Sequence, residues 1–336
     1  MVQNFFENIE RIPLDAIDPE DRLFAISLPW LPLDQLIRSI KNTGLLSPLH
    51  VQRIDRSRFR LIIGFRRYQA ARKLGFQEIP CIVRGEENAL KLFVQALEDN
   101  LVSRPLQLVE KAHVLLKLRR HFELSTRTLL DSFAPLLDIR ADRLHLERYL
   151  DLARLSKSLQ RAIPKPLDPE IALNLRGWKT EEQDFFLTLL SKYRLGKNKQ
   201  KQLFTLLDEL RALERIAPSG PRDGERAPVE ILWQRSGAGK IEQDERLPLS
   251  DRFEQVLEKL HRLRFPHLSE YEEKYAELKS ALKLPPQIQF HAPRYFEGNR
   301  INVSFSFRHA KELLEVAKKL QETAKKDEVK QILKLL

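Results

Sequence analysis

Leu36, Ile37 and Ile40 recur at helical spacing across 34–42, which predicts a short amphipathic helix closed at Gly44. The period then changes. Two apolar runs at 49–54 and 59–63, separated by the polar Asp55-Arg56-Ser57-Arg58, predict two strands and a turn. A helix over 66–74 ending at Gly75, a strand over 79–83, and a helix over 89–101 with Leu92, Phe93, Ala96 and Leu97 inward complete a mixed region. From 107 to 215 only the helical period remains. Val109, Ala112, Leu115, Leu116 and Leu118 line one helix ending near Phe122, and Ser125 is positioned to cap a second over 126–133. A third, over 141–155, carries Leu144, Leu146, Tyr149, Leu150 and Leu152 as its apolar stripe, and further helices follow Pro169 and Thr180.

The helical pattern breaks at 217–228, where three prolines and two glycines fall together. A linker is expected over 216–249, with one short ordered piece around 229–233. Beyond it, Phe253, Val256, Leu260 and Leu263 step by three and four, Pro266 interrupts, and Leu268, Tyr271, Tyr275, Leu278 and Leu282 resume the seam. Strands are expected at 287–291 and 300–307, with Gly298-Asn299 in the turn, before a last helix with Leu313, Val316, Ala317 and Leu320. The pattern predicts an α+β chain in four parts: 1–104 mixed, 105–215 helical, 216–249 linker, and 250–336 helix–strand–strand–helix.

Charge narrows the choice of partner. Lys and Arg total 58 against 47 Asp and Glu, a formal charge of +11 that favours a polyanion or an anionic membrane surface. The 42% of hydrophobic residues suffices for real cores and excludes wholesale disorder. A single cysteine, Cys81, excludes a disulfide framework within the chain and a multi-cysteine zinc site. Residues 1–11 carry Glu7 and Glu10 and do not read as a secretory signal, and no apolar run approaches the ~20 residues that span a bilayer. A cytoplasmic, nucleoid-associated protein with no membrane partner is the expectation.

Two short strings carry candidate chemistry. Gly64-Phe65-Arg66-Arg67 follows a strand and opens a helix, where free N–H groups, a close backbone approach and two guanidinium forks suit a phosphate. Taken alone, the string reads as a solvated arginine pair. Asp99-Asn100 ends a helix and offers oxygens to a hard cation such as Mg²⁺, although alone it reads as an ordinary Asx turn.

Together with Gly44-Leu-Leu-Ser-Pro-Leu-His-Val51, with Ala70-Ala71 and Gly75, and with Ile79-Pro80 and Leu101, these strings fall in an order that resembles the ParB/RepB family of partition proteins. The resemblance covers most of 10–175, and 250–336 looks like that family's dimerisation domain. It implies a ParB/sulfiredoxin-like N-terminal domain, an all-α helix-turn-helix middle domain and a small αββα C-terminal domain. It implies CTP and Mg²⁺ as ligands and double-stranded DNA as partner. It further implies a homodimer through the C-terminal domain that closes as a clamp on DNA in chromosome or plasmid segregation. A ParA-type ATPase partner follows from the family alone, since the family's short basic N-terminal peptide is not evident in 1–11.

In the family's terms Gly64, Arg66 and Arg67 match the triphosphate-binding motif, and Asn100, with Asp99, matches the metal-associated position. Ser47, Phe65 and Asp99 stand where many members carry Gln, Glu and Glu. Phe65 removes a carboxylate, so CTP hydrolysis is expected to be weak or absent while binding is retained. Arg140, Arg143, His145 and Arg148, near the start of the 141–155 helix, would meet phosphates and base edges; the bland alternative is a solvated basic face. Two rivals stay open: a transcription or nucleoid-organisation regulator on the same scaffold, and a nucleotide-dependent enzyme such as a nuclease or phosphotransferase. No acid–base cluster favours the enzyme, and the eight histidines are scattered. Cys81 reads as an inert buried thiol, and Lys318, Lys319, Lys325 and Lys326 as a solvated face with non-specific DNA contact as the sharper option.

Overall fold

The computed structural model describes residues 9–163, 165–216, 228–244, 246–293, 296, 298 and 300–336. Residues 1–8, all but the last residue of the break expected at 217–228, and Asn299 of the last turn lie outside the described residues. The architecture is α+β, and the chain divides into two units, Met1–Gln183 and Asp184–Leu336.

The first unit opens with β1 (Ile9–Pro13), α1 (Asp34–Thr43), β2 (Leu49–Arg53), β3 (Phe59–Ile63), α2 (Phe65–Lys73), β4 (Glu78–Arg84) and α3 (Ala89–Ser103). The four strands form one sheet in the order β1-β4-β2-β3, with β4 and β2 parallel and the outer pairs antiparallel. Alternation along β3 splits its side chains between two cores. Leu61 joins Leu49, Val51, Ile79, Cys81 and Tyr68 of α2, whereas Ile62 joins Leu92, Phe93, Ala96 and Leu97 of α3. Cys81 is fully buried, and burial pushes its thiol up to about 12, as an inert structural cysteine requires.

The helical part continues with α4 (Leu108–Arg120), α5 (Thr126–Thr128), a π-helical segment Leu129–Phe133, α6 (Ala134–Leu136), α7 (Arg143–Ala153), α8 (Lys157–Ala162) and α9 (Pro169–Leu175); α10 (Thr180–Tyr193) crosses the unit boundary. Ser125 caps α5 as expected, its hydroxyl accepting from the Thr128 N–H. The helix nevertheless runs past Phe133 to Leu136. Pro135 falls in the first turn of α6, where its missing N–H is tolerated. Asp138, at φ 51°, then reverses the chain. α7 begins after Asp142, whose carboxylate accepts from the His145 N–H at 2.9 Å. Leu106, Val114, Leu115, Leu118, Leu129, Phe133, Leu146 and Leu150 share one core with Phe24, Ile26, Ile62 and the buried face of α3.

The second unit contains α11 (Lys197–Ile216), α12 (Pro228–Arg235), α13 (Ala238–Glu242), α14 (Leu249–Arg264), α15 (Pro266–Ala281), β5 (Ile288–His291), β6 (Asn302–Phe305), α16 (Ala310–Ala324) and α17 (Asp327–Leu333). The stretch expected as linker carries two helices, because Val229, Leu232, Trp233 and Ala238 bury apolar surface there and Phe185 meets the Trp233 ring edge-on at 5.7 Å. The antiparallel β5–β6 pair places Ile288 opposite Phe305 and Phe290 opposite Val303, on one face. Helices cover only the β5 half: Ile288 and Phe290 are buried, while Val303 and Phe305 remain 41% and 43% exposed.

Candidate anion pocket and nucleic-acid interface

Gly64, Arg66, Arg67, Asp99 and Asn100 line one cavity of about 240 Å³, together with Ser27, Phe65 and Arg104. Gly64 caps α2 at φ 105°, in the left-handed region, and a Cβ there would lie 2.3 Å from Leu49 Cδ2 and 3.4 Å from Arg67 Nε. Glycine thus brings the helix start and the Arg67 fork together at the cavity wall. Arg67 donates to the Ser47 and Pro48 carbonyls, each at 2.9 Å, and Arg66 to the Pro32 carbonyl at 2.7 Å. Arg66 Nε is buried without a partner. Burial, then the Arg104 charge, lowers the Arg66 pKa, and Glu110 opposes the shift. Burial likewise lowers Arg67, against the opposing charge of Asp99.

Asn100 is less free than a metal ligand would be. Its Nδ2 donates to the Ala96 carbonyl at 2.8 Å, and its Oδ1 accepts from the Ser27 hydroxyl at 3.3 Å, which leaves one lone pair on that oxygen. Ligation of a hard cation would therefore rest on the Asp99 carboxylate, phosphate oxygens and water. Among the described residues no group of three His, Cys, Asp or Glu could hold a metal by itself. Phe65 faces the cavity and packs on both cores, with the Arg22 guanidinium 5.7 Å from its ring. It supplies no acceptor.

Behind the lining, two groups that sequence reasoning missed, Glu110 and Lys117, hold the wall in place. Arg104 forms a fork onto Glu110, at 2.6 and 2.8 Å, and holds the Ser27 hydroxyl at 2.9 Å. Glu110 is fully buried and also accepts from the Gln107 N–H, closing a capping box on α4. One helical face further along, the Lys117 ammonium grips the carbonyls of Arg22, Leu23 and Ala25 at 2.5, 3.3 and 2.6 Å. The capping box Gln107–Glu110 carries a local signal, but the partners of Lys117 lie more than ninety residues away and leave none.

The four candidate DNA-reading residues separate into two sets. Arg148 on α7 is paired with Glu170 at 2.8 Å, and His145 Nδ1 meets the Asp142 carboxylate at 2.9 Å. Arg140 is exposed although it touches Asp142 at 2.9 Å, and Arg143 is exposed at the first residue of α7. α7 packs on α4, reinforced by an Arg119–Glu147 pair. Its first turn faces solvent.

Comparison with known proteins finds similarity over the first part of the chain. Residues 3–101 match the family model of the ParB N-terminal domain. The probable chromosome-partitioning protein ParB of Vibrio cholerae is 26% identical over 172 residues, 51% of this chain and 56% of that protein. A nucleoid occlusion protein of Bacillus cereus is 27% identical over 167 residues, 49% of this chain and 57% of the relative. The chain thus spans a little over half the length of these curated relatives. Among solved structures, a C-terminally truncated ParB from Caulobacter crescentus complexed with CTP-γ-S aligns over 50% of this chain and 92% of its own, at 20% identity and a TM-score of 0.25. Over residues 3–101, then, the chain is similar to the ParB N-terminal domain, and its relatives by sequence include chromosome-partitioning and nucleoid occlusion proteins.

Proposed function

We propose that this protein is a CTP-responsive, DNA-binding partition protein acting in chromosome or plasmid segregation. The observation that carries the proposal is the convergence of Gly64, Arg66, Arg67 and Asn100 on one cavity with a helix N-terminus and two guanidinium groups. That donor set fits a phosphate chain: close backbone approach at Gly64, charge neutralisation by the arginines, and Asp99 beside them for a phosphate-bound Mg²⁺. Selection of cytosine follows from the family. Hydrolysis is slow or absent, because a phenyl ring at 65 can order neither water nor metal.

The helical part of the first unit supplies the DNA contact, through Arg140, Arg143 and the start of α7. The apolar face left open on β6, with Phe307 and Leu314 also exposed, supports self-pairing of 250–336 into a homodimer. Segregation through a ParA-type ATPase and residence on the nucleoid rest on the family. A nucleoid-organising regulator is the second reading, favoured by the relatives named nucleoid occlusion proteins. A single cluster of occupied sites in the genome supports partition, and many promoters support the regulator.

Calorimetry with CTP and Mg²⁺, against ATP, GTP and UTP, with and without duplex DNA, tests the nucleotide half. Wild type should bind CTP and Arg67→Ala should not. Absence of binding by wild type under every condition would remove the nucleotide from the reading.

A further inference from the structure

Leu144 stands apart from the rest of α7. The sequence pattern puts it in the apolar stripe, yet it is 68% exposed, while Leu146, Leu150 and Leu152 are buried and Tyr149 packs against the core. The register explains this. α7 starts at Arg143 behind the Asp142 cap, so the buried face begins at Leu146 and Leu144 projects from the first turn.

Its neighbours limit what that turn can read. The Asp142 carboxylate is occupied by His145 and Arg140, His145 is held by Asp142, and Arg148 is held by Glu170. Arg143 and Leu144 are the two exposed side chains at the helix start. Side chains on a helix lean toward its N-terminus, the end that a reading helix presents to base edges. In the major groove an arginine finds guanine acceptors and phosphates. An aliphatic side chain finds one apolar group, the C5 methyl of thymine.

We infer that Leu144 is a specificity-determining residue that packs on a thymine methyl in the major groove. The inference rests on the DNA-reading role given to α7 above. It predicts a discrimination that no arginine on this surface can make, between thymine and the same base without its methyl.

The test begins with selection of bound duplexes from a randomised double-stranded library by the full-length protein. The enriched duplex is then resynthesised with each thymine replaced singly by deoxyuridine. Wild type should lose about fourfold in affinity at one or two positions, the equivalent of one buried methyl group. Leu144→Ala should bind the thymine and uracil duplexes alike at those positions, with an unchanged melting temperature because the side chain is exposed. Arg143→Ala should weaken both duplexes equally. Enrichment of no duplex would overturn the DNA reading, and the inference with it. An enriched duplex whose uracil versions all bind wild type as well as thymine would overturn the inference alone, as would full discrimination retained by Leu144→Ala.

Discussion

Replacing Gly64 by alanine should destabilise the first unit through two separable effects. The backbone sits at φ 105°, which a residue with a side chain adopts at a cost of about 1–2 kcal/mol. The new Cβ would also lie 2.3 Å from Leu49 Cδ2. Leu49 is fully buried in β2, flanked by the cross-strand partner Cys81, so its methyl has no solvent to move into. Overpacking of that kind costs roughly 1–3 kcal/mol. The total is about 2–5 kcal/mol, from the two ranges just given. Gly75 provides the internal control. Its φ is 77° and nothing lies within 4 Å of its would-be Cβ, so Gly75→Ala should cost only the backbone part. Urea unfolding of the two variants beside wild type, at equal m, measures the difference. A double variant, Gly64→Ala with Leu49→Ala, should lose roughly 1–3 kcal/mol less than the sum of its parts, because the truncated leucine gives up the contested space. Equal losses for Gly64→Ala and Gly75→Ala, or strict additivity in the double variant, would refute the steric argument.

Arg104→Ala leaves the fully buried Glu110 carboxylate without its fork and should cost roughly 3–5 kcal/mol in the same unfolding assay, whereas Glu87→Ala, which loses a more exposed pair with Arg84 and Lys91, should cost about 1 kcal/mol or less. Burial pushes the Lys117 ammonium down to about 7, below its unfolded value near 10.5, so the folded state binds fewer protons between these values and stability rises with pH there. Lys117→Met should flatten that rise between about pH 7 and 9, before the raised Cys81 and Tyr193 groups begin to work in the opposite direction, as equilibrium unfolding at stepped pH will record. DNA affinity should fall steeply with salt, by a slope of about −0.9 per neutralised phosphate, and Arg143→Ala should shallow that slope in fluorescence polarisation titrations if the residue meets a phosphate. Full-length protein should sediment as a dimer, and Val303→Glu with Phe305→Glu should yield monomers, since the charges fall on the open half of the β5–β6 face.

Periodic segments were legible from residues alone. α1, β2, β3, α2 and α3 lie within about two residues of their predicted bounds, because each has a buried face that repeats at the period of its own geometry. β1 was invisible for the opposite reason: only Ile12 of its five residues is buried, so no alternation marks it. The helix expected over 126–133 runs on to Leu136, because Pro135 sits in a helix's first turn, where its missing N–H is tolerated. At the pocket, the order of Gly64, Arg66, Arg67 and Asn100 was readable as a motif. Ser27 and Lys117 were not, since the one works on partners distant in sequence and the other on backbone carbonyls, and neither relation leaves a pattern along the chain. Leu144 shows the limit of the period itself. Its spacing fits the stripe, and only the position of the cap decides that it faces outward.

The grip of Lys117 on the carbonyls of Arg22, Leu23 and Ala25 bears on where such a chain can be cut. A domain recognised by its residues ends near 101, yet the segment that walls its pocket is held down by a helix that starts after that point. Severed at 104, the N-terminal piece would turn three carbonyls and the side chains of Phe24 and Ile26 toward water, and it would lose the buried carboxylate that orients Arg104. The matched stretch and the packed core therefore differ by at least one helix. Recombination that trades N-terminal domains between relatives can conserve the pocket only if α4 travels with it, and expression of an isolated binding domain succeeds best when the boundary is drawn beyond Arg120.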